Sequence, residues 1–176
     1  MKKTIVVNLM GGPCTGKSTL AADIFSSLKK LGVECELVME YAKDKVWEES
    51  FHTLDNQIYV FAKQLHRMWR LKDKVDVIIT DSPLLLSILY DKKNNKTLTK
   101  LVVEQYNEFD NLTYFLNRSF EYNENGRYQT KTEAEELDER LTKLLNHNDI
   151  DYWTVDNNDK TKNEIIDCVI CKLKDE

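Results

Sequence analysis

The sequence predicts a three-layer α/β fold, with helices on both faces of a five-stranded parallel sheet. Three observations predict it. Short apolar, β-branched runs alternate along the chain with longer segments of helical periodicity. The runs are continuous enough to suit strands buried on both faces. The first run ends in Gly11-Gly12-Pro13-Cys14-Thr15-Gly16-Lys17-Ser18, a glycine-bearing turn that opens a helical segment.

The elements follow in order. Residues 4–10, "TIVVNLM", form the first strand. In the next segment Leu20, Ile24, Leu28 and Leu31 recur at helical spacing, and Gly32 closes the helix. Residues 33–39, "VECELVM", are the second strand. Residues 55–73 read as a long helix with Ile58, Phe61, Leu65, Met68 and Trp69 on one face. Residues 74–80, "KVDVIIT", are a third buried strand that ends at Asp81. Residues 98–109 are helical, and 111–117, "NLTYFLN", are a fourth strand. Residues 131–147 form a polar-faced helix, where Thr132 followed by Glu135 fits a capping box. A fifth strand at 150–156 and a helix at 160–173 complete one domain spanning 1–176.

Composition narrows the function classes. With 41% hydrophobic and 31% charged residues the chain is an ordinary globular one. A net charge of −5 provides no global field for nucleic acid or anionic lipid, so long nucleic acid is not expected as a partner. No apolar run approaches the ~20 residues of a membrane-spanning helix. The apolar start runs directly into the glycine turn and reads as a strand, not a signal peptide. Cysteines at 14, 35, 168 and 171 form no disulfide framework, which fits a reducing cytoplasm. Cys168 and Cys171 make a C-x-x-C inside an apolar-periodic helix, without the second pair that a zinc site needs.

The turn at 11–18 carries the clearest chemistry. Gly11 and Gly16 lack a Cβ, so the backbone can turn tightly and approach phosphate oxygens. Loop amides and the start of the following helix make an anion site. Gly12, Pro13, Cys14, Thr15 and Thr19 complete the nucleotide-binding set. Lys17 reaches the terminal phosphates, and the Ser18 hydroxyl is a magnesium ligand. The cofactors predicted are therefore ATP and magnesium. A guanine-specific switch would carry Asn-Lys-x-Asp, and the nearest string, "NNKTLTK", lacks the acid. Motor ATPases use more chain and a neighbour's arginine. A small-molecule kinase remains.

Parallel α/β sheets bind ligands at the carboxyl ends of their strands. The second strand ends in Met39-Glu40-Tyr41, and the third in Thr80-Asp81-Ser82-Pro83. Asp81 is the candidate for orienting magnesium, and Glu40 or Asp81 for positioning an acceptor hydroxyl and taking its proton. After the fourth strand, Arg118 and Arg127 flank a polar turn, which suits a lid at about 118–131 that brings guanidinium charge to a transferring phosphoryl group. The segment 42–74 is longer than a plain crossover and reads as an acceptor-site insertion. In it Gln57, Gln64 and Arg67 share a polar stripe, and Phe61 is an aromatic candidate for stacking on a base. Glu40, Tyr41, Gln57, Phe61, Gln64 and Arg67 are thus the acceptor-binding candidates.

The strings "GGPCTGKSTLA", "MEYAKD", the glutamine-bearing helix, "VIITDSP" and "FLNRSFEYNENGR" together resemble an AAA-domain P-loop ATPase/kinase family. That family includes the nicotinamide-riboside kinase domain of the bacterial NAD-biosynthesis regulator. The resemblance covers nearly the whole chain and is similar in form to stand-alone, phage-type members. It implies a P-loop NTPase fold of nucleoside/nucleotide-kinase type with an arginine lid. It further implies that Lys17, Ser18 and Thr19 bind ATP and magnesium. Glu40 and Asp81 are the strand-end acids, and Arg118 and Arg127 the lid arginines. The riboside-kinase domain has Asp-Thr-Asp at the third strand end, whereas this chain has Asp81-Ser82-Pro83 and so lacks the second acid.

The sequence reading is phosphoryl transfer from ATP to a small nucleoside or nucleotide acceptor, in the cytoplasm, or in the host cytoplasm for a phage protein. No membrane partner is expected, and a homo-oligomer is compatible with it. The alternative reading is a nucleotide-binding regulatory ATPase that gates a protein partner, with 42–74 as its docking surface.

Overall fold

The computed structural model describes residues 3–117 and 131–174, the side chains of 131–134 excepted. The order is β1 (Ile5–Met10), α1 (Lys17–Lys30), β2 (Cys35–Val38), α2 (Tyr41–Trp47), α3 (Phe51–Leu54), α4 (Gln57–Trp69), β3 (Val77–Thr80), α5 (Leu86–Leu89), α6 (Lys96–Tyr106), β4 (Asp110–Leu116), α7 (Lys131–His147), β5 (Trp153–Val155) and α8 (Asp159–Lys174). The five strands pair in parallel in the order β2-β3-β1-β4-β5.

The apolar runs form strands because both of their faces are covered. Along β1, Ile5, Val7 and Leu9 join one core, with Leu20, Ile24 and Leu28 of α1 and Ile165, Ile166 and Val169 of α8. Val6 and Met10 join the other, with Phe61 and Met68 of α4, Val102 of α6 and Leu141 and Leu145 of α7. The two-residue period of the strand assigns each side chain to a layer. The sheet and its two helical layers make a three-layer α/β fold.

The order also places a topological switch at β1. The chain leaves β1 through α1 to reach β2, beyond β3. It later leaves β3 to reach β4, on the other side of β1. Connections therefore diverge to opposite sides above β1 and β3, and the crevice opens there.

One expected face differs. On α4, Phe61 and Met68 are buried and Leu65 packs against them, but Ile58 is 56% and Trp69 62% exposed. The buried face instead includes Gln57 and Gln64. The helix is rotated so that its glutamines, and not Ile58 and Trp69, flank Phe61 and Met68. The reason lies in what they meet at the strand ends, described below. Short helices α2 and α3 fill most of the segment between β2 and α4. Arg118 and Arg127, with the polar turn between them, lie outside the described residues, as does the side chain of Thr132.

Candidate active site

The first corner of the site is the connection from β1 to α1. Gly11 has φ +141°, and a Cβ there would lie 3.0 Å from Thr15 Oγ1 and 3.1 Å from the Leu116 carbonyl oxygen. The position requires glycine for both conformation and space. Gly16 sits at φ 81° as the N-cap of α1, and Cys14 takes φ 67°, a left-handed conformation uncommon for a residue with a side chain. Thr15 is buried, and its hydroxyl donates to the Gly12 carbonyl at 3.1 Å. Lys17 Nζ donates to the same carbonyl at 2.8 Å, which folds the lysine back along the loop. No side chain caps the first turn of α1, and no acid lies within it. Its N-terminal amides and partial positive charge thus face the loop, an arrangement suited to an anion.

The second corner is the end of β3. Asp81 is 4% exposed, and its Oδ2 accepts the Ser18 hydroxyl at 2.6 Å. Its Oδ1 is buried without a hydrogen-bond partner among the described residues. A buried carboxylate oxygen left open beside a serine hydroxyl and a phosphate-type loop is a hard, anionic donor set, which fits magnesium. Among the described residues no three His, Cys, Asp or Glu side chains gather into a protein-only metal site. Magnesium usually takes one or two protein ligands and completes its shell with phosphate and water.

The third corner is the end of β2. Glu40 is the extended N-cap residue of α2 and is half-buried. Burial holds its carboxyl above the usual carboxylate range. The charge of Lys17 opposes that shift, and the charge of Asp81 adds to it. Val38, two residues before Glu40, pairs with Thr80, the residue before Asp81, so the two acids follow neighbouring strand ends. Tyr90, which caps α5, is pushed up to about 12 by burial, with the Glu40 charge the next contribution.

The remaining acceptor candidates face inward. Gln64 is 3% exposed; its Oε1 accepts the Tyr41 N–H at 2.9 Å, and its Nε2 donates to the Ser82 carbonyl at 3.1 Å. Gln57 Nε2 donates to the Leu54 carbonyl at 2.6 Å. Arg67 donates to the Met39 carbonyl at 3.1 Å, pairs with Asp44 and lies 5.2 Å over the Tyr41 ring. Tyr41 is buried, with its hydroxyl donating to that of Tyr59 at 3.2 Å. Phe61 is 2% exposed, inside the core with Met68 and Leu85. Within the stripe expected to meet a ligand, Gln64 and Arg67 tie α4 to the ends of β2 and β3, and Gln57 ties it to α3.

Two residues at the site were not anticipated. Asp138 of α7 accepts the Gly12 N–H at 2.6 Å, joining the helix that follows 118–130 to the phosphate-type loop. Asn157, just past β5, donates to the Thr15 and Gly16 carbonyls at 3.3 and 3.2 Å. The signal for Asn157 was present in the rule that strand ends line the site. Asp138 stands between buried Leu137 and Leu141, and nothing in that helical pattern marks it as more than a polar edge residue.

A search of curated protein sequences gives no significant match. Among solved structures, NadR protein in complex with NR superposes with a TM-score of 0.62 at 19% identity, covering 94% of this chain. The match takes in 50% of the NadR chain, so this chain spans about half its length. Shikimate kinase from Acinetobacter baumannii, in complex with shikimate, gives a TM-score of 0.53 at 10% identity, covering 99% of this chain and 95% of that one. At these identities the likeness concerns the fold alone. The AAA domain family matches residues 6–161, from the first strand through the last crossover, and the chain belongs to that family.

Proposed function

We propose that the protein is an ATP- and magnesium-dependent kinase that transfers the γ-phosphoryl group to a small nucleoside or nucleotide acceptor. The observation that carries the proposal is the convergence of Glu40 on Lys17 and Asp81. A nucleotide switch needs the phosphate loop and the magnesium acid. A kinase also needs a group to receive the acceptor's proton, and a half-buried acid with a raised pKa beside the loop lysine suits that task at neutral pH. The NadR chain of similar fold was solved with NR, which supports a nucleoside-class acceptor.

In this reading the loop amides and Lys17 hold the β- and γ-phosphates. Ser18 and Asp81 would hold magnesium, which supplies charge neutralisation between the phosphates. Glu40 takes the proton of the acceptor hydroxyl as its oxygen bonds to the γ-phosphorus, and the bond from that phosphorus to the β–γ bridging oxygen breaks to release ADP. Arg118 and Arg127 neutralise charge on the equatorial oxygens. Tyr41 shapes the acceptor side, while Gln57, Phe61, Gln64 and Arg67 act on it through the strand ends they support.

The test is ADP release from magnesium-ATP against nicotinamide riboside, the ribo- and deoxynucleosides and their monophosphates. Acceptor-dependent ADP that vanishes in Lys17→Ala is the expected result. A flat panel with slow, Lys17-dependent hydrolysis would replace the kinase reading with the regulatory ATPase. One observation favours that second reading. Trp47 is 80% exposed, and Val46, Phe51, Ile58 and Tyr59 are exposed with it on α2 to α4, an apolar surface suited to a protein partner.

A further inference from the structure

The ladder between β2 and β3 ends at Val38 opposite Thr80. The acids follow at once: Asp81 is the residue after Thr80, and Glu40 lies two residues past Val38. Past the end of the ladder, no strand pairing holds these acids in register. At that level the side-chain amide of Gln64 makes two bonds, from the Tyr41 N–H at 2.9 Å and to the Ser82 carbonyl at 3.1 Å. Each partner is the residue directly after one of the acids. A planar amide thus stands where a backbone peptide would stand in a wider sheet, with one donor and one acceptor used in opposite directions.

The location has a cost that needs a reason. Gln64 is 3% exposed, at the centre of a buried helix face that carries Val60, Phe61 and Met68 and, at its start, Gln57. An apolar residue there would avoid desolvating an amide. It would also leave the Tyr41 N–H, at the first turn of α2, and the Ser82 carbonyl without these bonds. One turn further along α4, Arg67 holds the Met39 carbonyl and so fixes the β2 side. Gln64 spans both sides. The acids it spans repel each other, since the Asp81 charge acts on Glu40, so their spacing needs a tie.

We propose that Gln64 is a positioning residue whose amide sets the spacing of the Glu40 and Asp81 strand ends, and through it the alignment of the acceptor-side acid with the magnesium-side acid. The proposal rests on the phosphoryl-transfer reading of the same site, but part of its test does not.

Two variants of the full chain serve. Gln64→Met keeps length and volume and loses both hydrogen bonds. Gln64→Asn keeps the amide but is one methylene too short to reach both partners. The first readout needs no acceptor: calorimetric ATP affinity with and without magnesium. Both variants should bind metal-free ATP within about twofold of wild type, because the loop amides and Lys17 are untouched. The factor by which magnesium tightens binding should fall at least about fivefold as Asp81 loses its setting. The second readout is acceptor-dependent ADP formation. There kcat should fall at least about tenfold with KM for ATP unchanged, within the losses that small misplacements cause.

A folded Gln64→Met variant with both the magnesium factor and kcat within twofold of wild type would overturn the proposal. If circular dichroism shows that Gln64→Met does not fold, the same criterion applies to Gln64→Asn. A wild-type protein with no acceptor-dependent turnover would sink the kinase reading instead, while the magnesium factor would still decide the brace. Wild-type ATP affinity indifferent to magnesium would overturn the brace as drawn.

Discussion

The phosphate-type loop and the α4 corner lie at neighbouring strand ends and handle polarity in opposite ways. In the loop, Asp138 takes the Gly12 N–H, while the first amides of α1 have no partner within their own helix and suit a ligand. Side chains such as Thr15 and Lys17 fold back to hold the turn, and Gly11 and Cys14 take conformations that only a fixed scaffold sustains. On α4, the Gln64 side-chain amide is aimed inward, at backbone that the ends of β2 and β3 leave open, while Trp69 and Ile58 face solvent. A binding loop presents backbone and is supported by side chains; the corner beside it presents side chains and uses them to support backbone. A polar stripe on a helix next to an active site is therefore ambiguous until its partners are known.

The sharpest way to break the comparison is through Phe61, which flanks the glutamines on the buried face. Phe61→Ala should destabilise the fold by about 3–5 kcal/mol, read from chemical denaturation. A change below about 1 kcal/mol would mean that the aromatic ring faces a ligand cavity after all. Next comes Lys17→Ala, expected to lower ATP turnover about 10²–10³-fold, in the range for loss of a single preorganised charge or donor. Its melting temperature should stay near wild type, since the lysine bonds to a loop carbonyl and not to the core. Gly11→Ala tests the strain in the loop itself. With φ at +141° and contacts of 3.0 and 3.1 Å waiting for a Cβ, it should cost about 1–3 kcal/mol. Tight ATP binding retained with full stability would show that the loop relaxes easily.

A smaller effect is visible in pH. Burial first, then the Asp81 charge, raises the Glu40 pKa above the ordinary glutamate value of 4.5, with Lys17 opposing. A carboxyl with a raised folded-state pKa contributes stability below its unfolded pKa, and that contribution is lost as pH rises through the folded value. Glu40→Gln does not titrate. Its stability relative to wild type should therefore grow as pH climbs from 4.5 through the raised value, and stay level below 4.5. Thermal melts of both proteins across that window would test it, and a relative stability that falls with pH would reverse the assignment. Catalysis should respond the other way, with Glu40→Gln losing acceptor-dependent turnover. The smallest effect belongs to the outer face. Trp47→Ala, at an 80% exposed position, should change stability by no more than about 0.5 kcal/mol.

The site was legible in the sequence wherever a short string fixes its own geometry. Gly11 to Ser18 states its turn, its helix start and its anion site within eight residues. Glu40 and Asp81 were legible because a strand's end is local and the crevice rule then places it. Gln64 was legible as a residue of interest but not in its orientation. Helical periodicity placed Ile58 and Trp69 inward because they are apolar. It could not register that two strand ends would offer an unpaired donor and acceptor to the opposite flank. Asp138 and Asn157 reach the loop from more than 120 residues away in sequence, and no local pattern carries such a distance.

By itself the sequence determined the layered α/β class, the glycine-bearing turn after β1, and the two acids that follow β2 and β3. Each of these is set by local sterics, by periodicity or by residues adjacent in the chain. The tertiary structure alone decided the strand order that opens the crevice above β1 and β3 and the rotation of α4 that buries glutamines in place of Ile58 and Trp69. It alone brought Asp138 and Asn157 to the loop. Those outcomes depend on hydrogen bonds and packing between segments far apart in the chain, and a polar group's partner is settled only when the fold brings an unpaired backbone group within reach of it.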